Sequence, residues 1–142
     1  MQKYPYARLI GTLMYAMLGT QPDIAFAVGA LSKFTSKPGK PHWDQGNHVL
    51  RYLSGTKYFG ITFCGDAEDD LSTMIIGYTD SDWAGDLDTR QSTSGYVFKM
   101  CNAAVSWSSK LQATPALSST EGEYMAVKRV SQEAIWLRQL LE

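Results

Sequence analysis

Long apolar runs are missing from this chain. None reaches the length of about 18 residues that a membrane-spanning helix needs, so no segment is expected to cross a bilayer. The opening M-Q-K-Y-P-Y lacks the apolar stretch of a secretory leader, and no signal peptide is expected. Cysteine is scarce too. Cys64 and Cys101 form no CxxC pair and have no histidine pair nearby, which argues against a disulfide framework or a zinc site. Both read as buried, reduced thiols of an intracellular protein. The two histidines, His42 and His48, share no helical face well and read as surface or packing residues, not ligands. No internal repeat or low-complexity tract is evident. What is present suffices for a packed core: 142 residues, 44% hydrophobic and 12% aromatic, the size of about one domain or one small domain plus part of another.

A second absence is local. Residues 58–89 hold eight acids and no Lys or Arg, within a net charge of −1. Residues 1–57 carry seven Lys/Arg against Asp23 and Asp44, and residues 90–142 carry six against four acids. Basic flanks around an acidic centre suit an anionic polymer gripped beside a metal site. The run D-A-E-D-D at 66–70 reads as a solvated loop.

The first 57 residues read as helical. Apolar residues at 6, 9, 10, 13, 14, 17 and 18 give a broad helical face closed by Gly19. A second helix is expected over 23–34, with Pro22 in its first turn. The breakers of S-K-P-G-K-P at 36–41 make a loop. A third helix runs from 42 or 43 to 54 and ends at Gly55. From residue 58 the period becomes two. Strands are expected over 58–63, 73–79, 95–100 and 103–107, the last two joined at Cys101-Asn102 because Asn tolerates positive φ. A final helix is expected from about 120 to the end. The fold class is therefore α+β or α/β: a helical segment over 1–57, then a mixed sheet with one helix over 58–142. One helix covers only one face of such a sheet, so the C-terminus reads as cut and not finished.

Two residues carry the chemistry, Asp80 and Glu123. Thr120 followed by Glu123 reads as a capping box that starts the last helix. Val127, Val130, Ala134, Leu137 and Leu141 follow at steps of three and four, and the same steps lead back to Glu123. Glu121 points the other way with Met125, Lys128 and Gln132. A carboxylate on a buried stripe needs a positive partner. The apolar strand M-I-I-G-Y-T-D ends in Asp80, and two carboxylates meeting at a strand end suit a hard divalent ion. Plain capping is the commoner reason for a glutamate at the third helical position, and on spacing alone it is the favoured reading of Glu123. Around Asp80, the segment T-D-S-D-W-A-G-D-L-D fits a calcium loop poorly. Asp80, Asp82 and Gly85 fall on the first, third and sixth loop positions, but Gln91 stands where the bidentate glutamate belongs. Asp86 and Asp88 read as a polar surface turn.

Larger blocks carry a resemblance. Y-T-D-S-D-W-A-G-D, R-Q-S-T-S-G-Y-V-F, V-S-W-S-S-K-L-Q, L-S-S-T-E-G-E-Y-M-A and E-A-I-W-L-R resemble the ribonuclease H region of copia-type LTR retrotransposon Pol polyproteins. Y-A-R-L-I-G-T-L-M-Y, P-D-I-A-F-A-V, L-S-K-F, P-G-K-P-H-W and V-L-R-Y-L-S-G-T resemble the segment joining reverse transcriptase to ribonuclease H in the same polyprotein. Nearly the whole chain is covered, in order. The resemblance implies a helical tether over 1–57 and the first half of a ribonuclease H domain over 58–142. It implies two magnesium ions, with Asp80 as the central-strand aspartate and Glu123, in E-Y-M-A, as the first-helix glutamate. Glu121 is the alternative. The implied reaction is hydrolysis of the RNA strand of an RNA–DNA hybrid. The implied partners are that hybrid and the rest of the Pol polyprotein, with no membrane, in the cytoplasm within a virus-like particle. Ser119 and Thr120 sit where the family touches the sugar-phosphate backbone, with N-capping as the plain alternative. Arg90, Lys110 and Lys57 are phosphate-contact candidates. Trp83 and Trp107 could stack on nucleic acid, although Trp43, Trp107 and Trp136 also suit a core. Two departures stand out: Gln91 where a basic residue is common, and Gly122 in place of alanine. A third acidic ligand, in a D-N-Q-type motif, is expected beyond residue 142, so little nuclease activity is expected of these residues alone. A non-catalytic remnant that acts as a structural or interaction module is the alternative.

Overall fold

Steps of three and four from Tyr6 onward give α1 (Tyr6–Gly19), which buries Tyr6, Ile10 and Leu13. The computed structural model describes residues 4–64 and 74–142. It divides into two units, one running to Ile61 and one starting at Thr62. In the first unit, Pro22 opens a single 3-10 turn (Pro22–Ile24) that leads into α2 (Ala25–Ser32). The helix expected over 23–34 is thus shorter at both ends. α3 (Lys40–Gly55) starts at Gly39, whose amide donates to Nδ1 of His42 at 2.9 Å. His42 also stacks on Phe34, centroids 4.0 Å apart. It is a packing and capping residue, and His48 lies exposed beside Arg51.

The three helices close over Tyr6, Ile10, Leu13, Ile24, Val28, Leu31 and Val49. Tyr6 is fully buried, and its hydroxyl donates to the Leu31 carbonyl at 2.8 Å. Tyr6→Phe keeps the ring and removes one of two bonds to that carbonyl, which still accepts from the Phe34 amide at 3.1 Å, and is expected to cost about 1 kcal/mol in urea denaturation. Burial also raises the Tyr6 pKa above its ordinary value. A raised phenol pKa means stability that is intact below about pH 10 and is lost as pH climbs through the folded value. The wild type should therefore lose stability in alkali more steeply than Tyr6→Phe.

The second unit is an antiparallel sheet in the order β1 (Ile76–Ser81), β2 (Thr93–Met100), β3 (Ala103–Leu111), with α4 (Ser119–Leu141) lying against β1 and β2. The fold is α+β, as the sequence implied. All pairings among the described strands are antiparallel. Cys101 and Asn102 both have positive φ, 50° and 60°, which makes the tight hairpin turn between β2 and β3. Both strands run longer than the 95–100 and 103–107 expected. Residues 58–63 form no strand. Their alternation is genuine, but a strand needs a neighbour for its amides and carbonyls, and the first such bond is from the Cys64 amide to the Cys101 carbonyl, 3.0 Å. The acidic run at 66–70 and the start of the strand expected from 73 lie outside the described residues.

Three packing expectations are corrected. Cys64 is exposed and Cys101 half-buried, although both thiols are free. Trp136 is 53% exposed and not a core residue. The buried stripe of α4 is Gly122, Ala126 and Leu137, flanked by half-buried Met125, Arg129, Val130 and Glu133. Glu123 and Val127 face solvent and Met125 does not. The physical reason is that β3 offers hydroxyls to the polar side-chain ends of this helix. Arg129 donates to Ser108 Oγ at 3.0 Å, and Ser106 Oγ donates to Glu133 at 2.6 Å. Tyr96 lies in the same layer, where burial raises its pKa.

Candidate functional site

The cap of α4 decides what Glu123 is free to do. The N-cap is Ser118, not Thr120: its hydroxyl accepts from the Glu121 amide at 3.1 Å. Glu121 reaches back to accept from the Leu117 amide at 2.6 Å. This is the reciprocal arrangement of a capping box, so the cap belongs to Glu121. Capping therefore does not explain Glu123. Ser119 and Thr120 are exposed first-turn residues rather than caps.

Asp80 is the penultimate residue of β1, opposite Gly95 on β2 and exposed. Ser81 follows it, opposite Ser94. Alternation along the strand sends successive side chains to opposite faces, so Asp80 leaves the strand on the face away from Ser81. Neither Asp80 nor Glu123 makes an ion pair or side-chain hydrogen bond among the described residues.

What joins the two segments is Gln112, just past β3. Its Nε2 donates to Ser81 Oγ at 3.1 Å and to the Gly122 carbonyl at 2.9 Å. The residue after Asp80 and the residue before Glu123 are thus bound to one nitrogen. Gly122 permits the approach: a methyl group there would stand 3.3 Å from Ser81 Oγ, closer than most side-chain contacts.

The turn between β1 and β2 engages two further carboxylates, Asp82 and Asp86. Asp82 accepts from the Thr93 amide and returns its own amide to the Thr93 carbonyl. Gly85 lies so close to that carboxylate that a side chain there would force it to move. Asp86 accepts from Thr89 Oγ1, and its carbonyl takes the Arg90 amide at 2.8 Å. An Asp82 engaged this way leaves no calcium loop. Gln91 donates to the Ala113 carbonyl at 2.9 Å, so its amide ties the turn to the segment after β3.

No family model and no solved structure matches the chain. Over its whole length it is 48% identical to part of the retrovirus-related Pol polyprotein from transposon TNT 1-94 of Nicotiana tabacum, of which it covers 10%. It is 39% identical over 136 residues to the Pol polyprotein from transposon RE2 of Arabidopsis thaliana, covering 96% of this chain and 9% of that protein. It is also 50% identical over 137 residues to secreted RxLR effector protein 161 of Plasmopara viticola, covering 96% of this chain and 94% of that protein. Over nearly all of its length the chain is thus similar to one segment of retrotransposon Pol polyproteins. It spans about a tenth of the length of the plant Pol polyproteins it matches.

The remaining candidates scatter. Lys110 is exposed and opposite Ser94, in the cross-strand row that also holds Ser81. Arg90 is exposed in the turn with φ 56°. Trp83 is exposed and its indole N–H donates to the Ala116 carbonyl at 3.4 Å. Lys57 belongs to the first unit, over the ring of Tyr58. Among the described residues no three His, Cys, Asp or Glu side chains gather where they could hold a metal. No helix of the described residues is long and apolar enough to cross a membrane.

Proposed function

We propose that this Pol segment contributes Asp80 and Glu123 to a ribonuclease H site of copia type, which cuts the RNA strand of an RNA–DNA hybrid. The observation that carries this reading is the shared Gln112 nitrogen, which holds the residues beside the two carboxylates within 3.1 Å of one atom. Both carboxylates are exposed and free of protein partners among the described residues, as side chains meant for a metal should be. Their hard oxygen donors fit magnesium, with no Cys or His required. Bound magnesium would activate water and stabilise the leaving oxygen. The chain's own residues would hold the ions past the end of β1. Ser119, Thr120, Arg90 and Lys110 would take backbone phosphates, with recognition resting on hybrid shape and 2′-hydroxyls. On the same reading the protein works in the cytoplasm, in a virus-like particle with the rest of Pol.

The test is cleavage of a labelled hybrid in magnesium by a Pol polypeptide that extends beyond residue 142, with duplex DNA as control. Cutting confined to the RNA strand is expected, together with little or no cutting by residues 1–142. A longer polypeptide that leaves hybrids intact sinks the reading. Strong cutting by residues 1–142 that Asp80→Asn abolishes sinks the claim that more ligands are needed.

One observation favours a second reading. The relative from Plasmopara viticola is nearly the same length as this chain and is named as an effector. A non-catalytic module is the function expected if the longer polypeptide fails.

A further inference from the structure

Gln112 is only 7% exposed. Besides Ser81 Oγ and the Gly122 carbonyl, its Nε2 donates to Ser94 Oγ at 2.8 Å, and its own amide donates to the Ser92 carbonyl at 2.8 Å. Two amide hydrogens therefore serve three acceptors, on β1, β2 and the first turn of α4. On the other side of the same group, Oε1 is buried with no partner among the described residues. A buried amide with one atom over-subscribed and the other unused is a poor way to fill space. An apolar side chain of the same volume would pack there without an orphaned oxygen. What the amide adds is direction. It fixes the end of β1 against the start of α4 through hydrogen bonds of defined length, where apolar contact would let the two segments slide.

We infer that Gln112 is a positioning residue that sets the separation between Asp80 and Glu123 and so tunes the metal site without touching it. This rests on the reading of Asp80 and Glu123 as ligands. Each carboxylate is one peptide unit from a group bound by the Gln112 nitrogen, so a small shift at Gln112 passes into the spacing of the pair. Its place in the fold suits this role, because Gln112 follows β3 directly and its own backbone is anchored to Ser92 at the start of β2.

The test is titration of the whole 142-residue chain with Mn²⁺, following paramagnetic broadening of the Asp80 and Glu123 amide resonances. In the wild type both amides should broaden together, and Asp80→Asn should abolish the effect. If the wild-type amides do not broaden, the ligand reading fails and this inference falls with it. With the wild-type site confirmed, Gln112→Met is expected to weaken Mn²⁺ affinity about tenfold and to uncouple the two amides. Tyr6→Phe, which removes a buried hydrogen bond in the first unit, should lower the melting temperature and leave affinity unchanged. Ser81→Ala, which deletes one of the three ties, should fold and weaken Mn²⁺ by a smaller factor, and it decides the matter if Gln112→Met does not fold. Unchanged Mn²⁺ affinity and joint broadening in Gln112→Met, or in Ser81→Ala where it must stand in, make Gln112 a purely structural residue and overturn the inference.

Discussion

Asp80→Asn, introduced into a Pol polypeptide that cuts hybrids, is expected to lower the rate of RNA cleavage at least about a hundredfold while leaving the fold intact. The substitution is isosteric, and the carboxylate it neutralises is exposed and supports no hydrogen bond among the described residues. Stability should therefore barely change, and the loss must come from the charge. Glu123→Gln should behave the same way. The informative control is two residues away. Glu121→Gln keeps a side-chain oxygen that can accept from the Leu117 amide, so the cap survives and only a helix-dipole contribution of about 0.5 kcal/mol is at risk. Hybrid cleavage by the three variants at saturating magnesium, beside their melting temperatures, separates ligand from cap. A Glu121→Gln enzyme as dead as Glu123→Gln would mean that the glutamates have been assigned the wrong way round.

Two overlapping signals occupy this point of the sequence, which is why local spacing misplaces the helix start. S-S-T-E-G-E contains Ser118 with Glu121 and Thr120 with Glu123, and both pairs have capping-box spacing. Nothing local chooses between them. The structure selects the earlier pair, and α4 begins at Ser119. The buried face eludes apolar counting for a related reason. Counting finds Leu137, which is buried, and Val130, which is half-buried, but it also takes exposed Val127 and Leu141; it misses Gly122 and Ala126, which are small, and Arg129 and Glu133, whose polar ends meet serines of β3. Ser106 and Ser108 in S-W-S-S are the available clue: polar residues at alternate positions on a strand that must face a helix ask for polar partners.

Elsewhere local rules are enough. The first unit is legible because its helices are bounded by strong punctuation, Gly19, Pro22, Gly39 and Gly55, and its apolar spacing is regular, although α3 starts at Lys40, inside the loop expected over 36–41 and ahead of the start expected at 42 or 43, because Pro41 is tolerated in a first turn. The hairpin is legible from one dipeptide, since Cys101-Asn102 does adopt positive φ. The stretch at 58–63 shows the opposite case: alternation predicts a capacity to pair, and pairing also needs a partner. Asp80 stands out through its place at the end of an apolar strand. Gln112 does not, because its role depends on three contacts with Ser81, Ser94 and Gly122, scattered over the whole second unit.

Gly77→Val should be the most damaging single change in the second unit, costing about 3 kcal/mol. Gly77 lies opposite Phe98 in the β1–β2 register, and Phe98 is 4% exposed. A side chain at Gly77 would begin 2.5 Å from Cε1 of that ring, which cannot be accommodated without moving it. The ring has little room to move. It lines a groove of about 490 Å³ with Met74, Ile75, Ala134 and Leu141 on one side, and meets Tyr96 edge-on with centroids 5.7 Å apart on the other. Intrinsic preference works the other way, because valine is a better strand former than glycine. The sign of the measured change therefore separates propensity from packing. A melting temperature lower by about 15 °C is the expected result. Gly77→Ala should reproduce a smaller part of the loss, and Phe98→Leu, harmful alone, should recover some of it in combination. That pattern in a double-mutant cycle would place the conflict at this one contact. Additive losses from Gly77→Ala and Phe98→Leu would show that Gly77 is needed for its backbone and not for the ring above it.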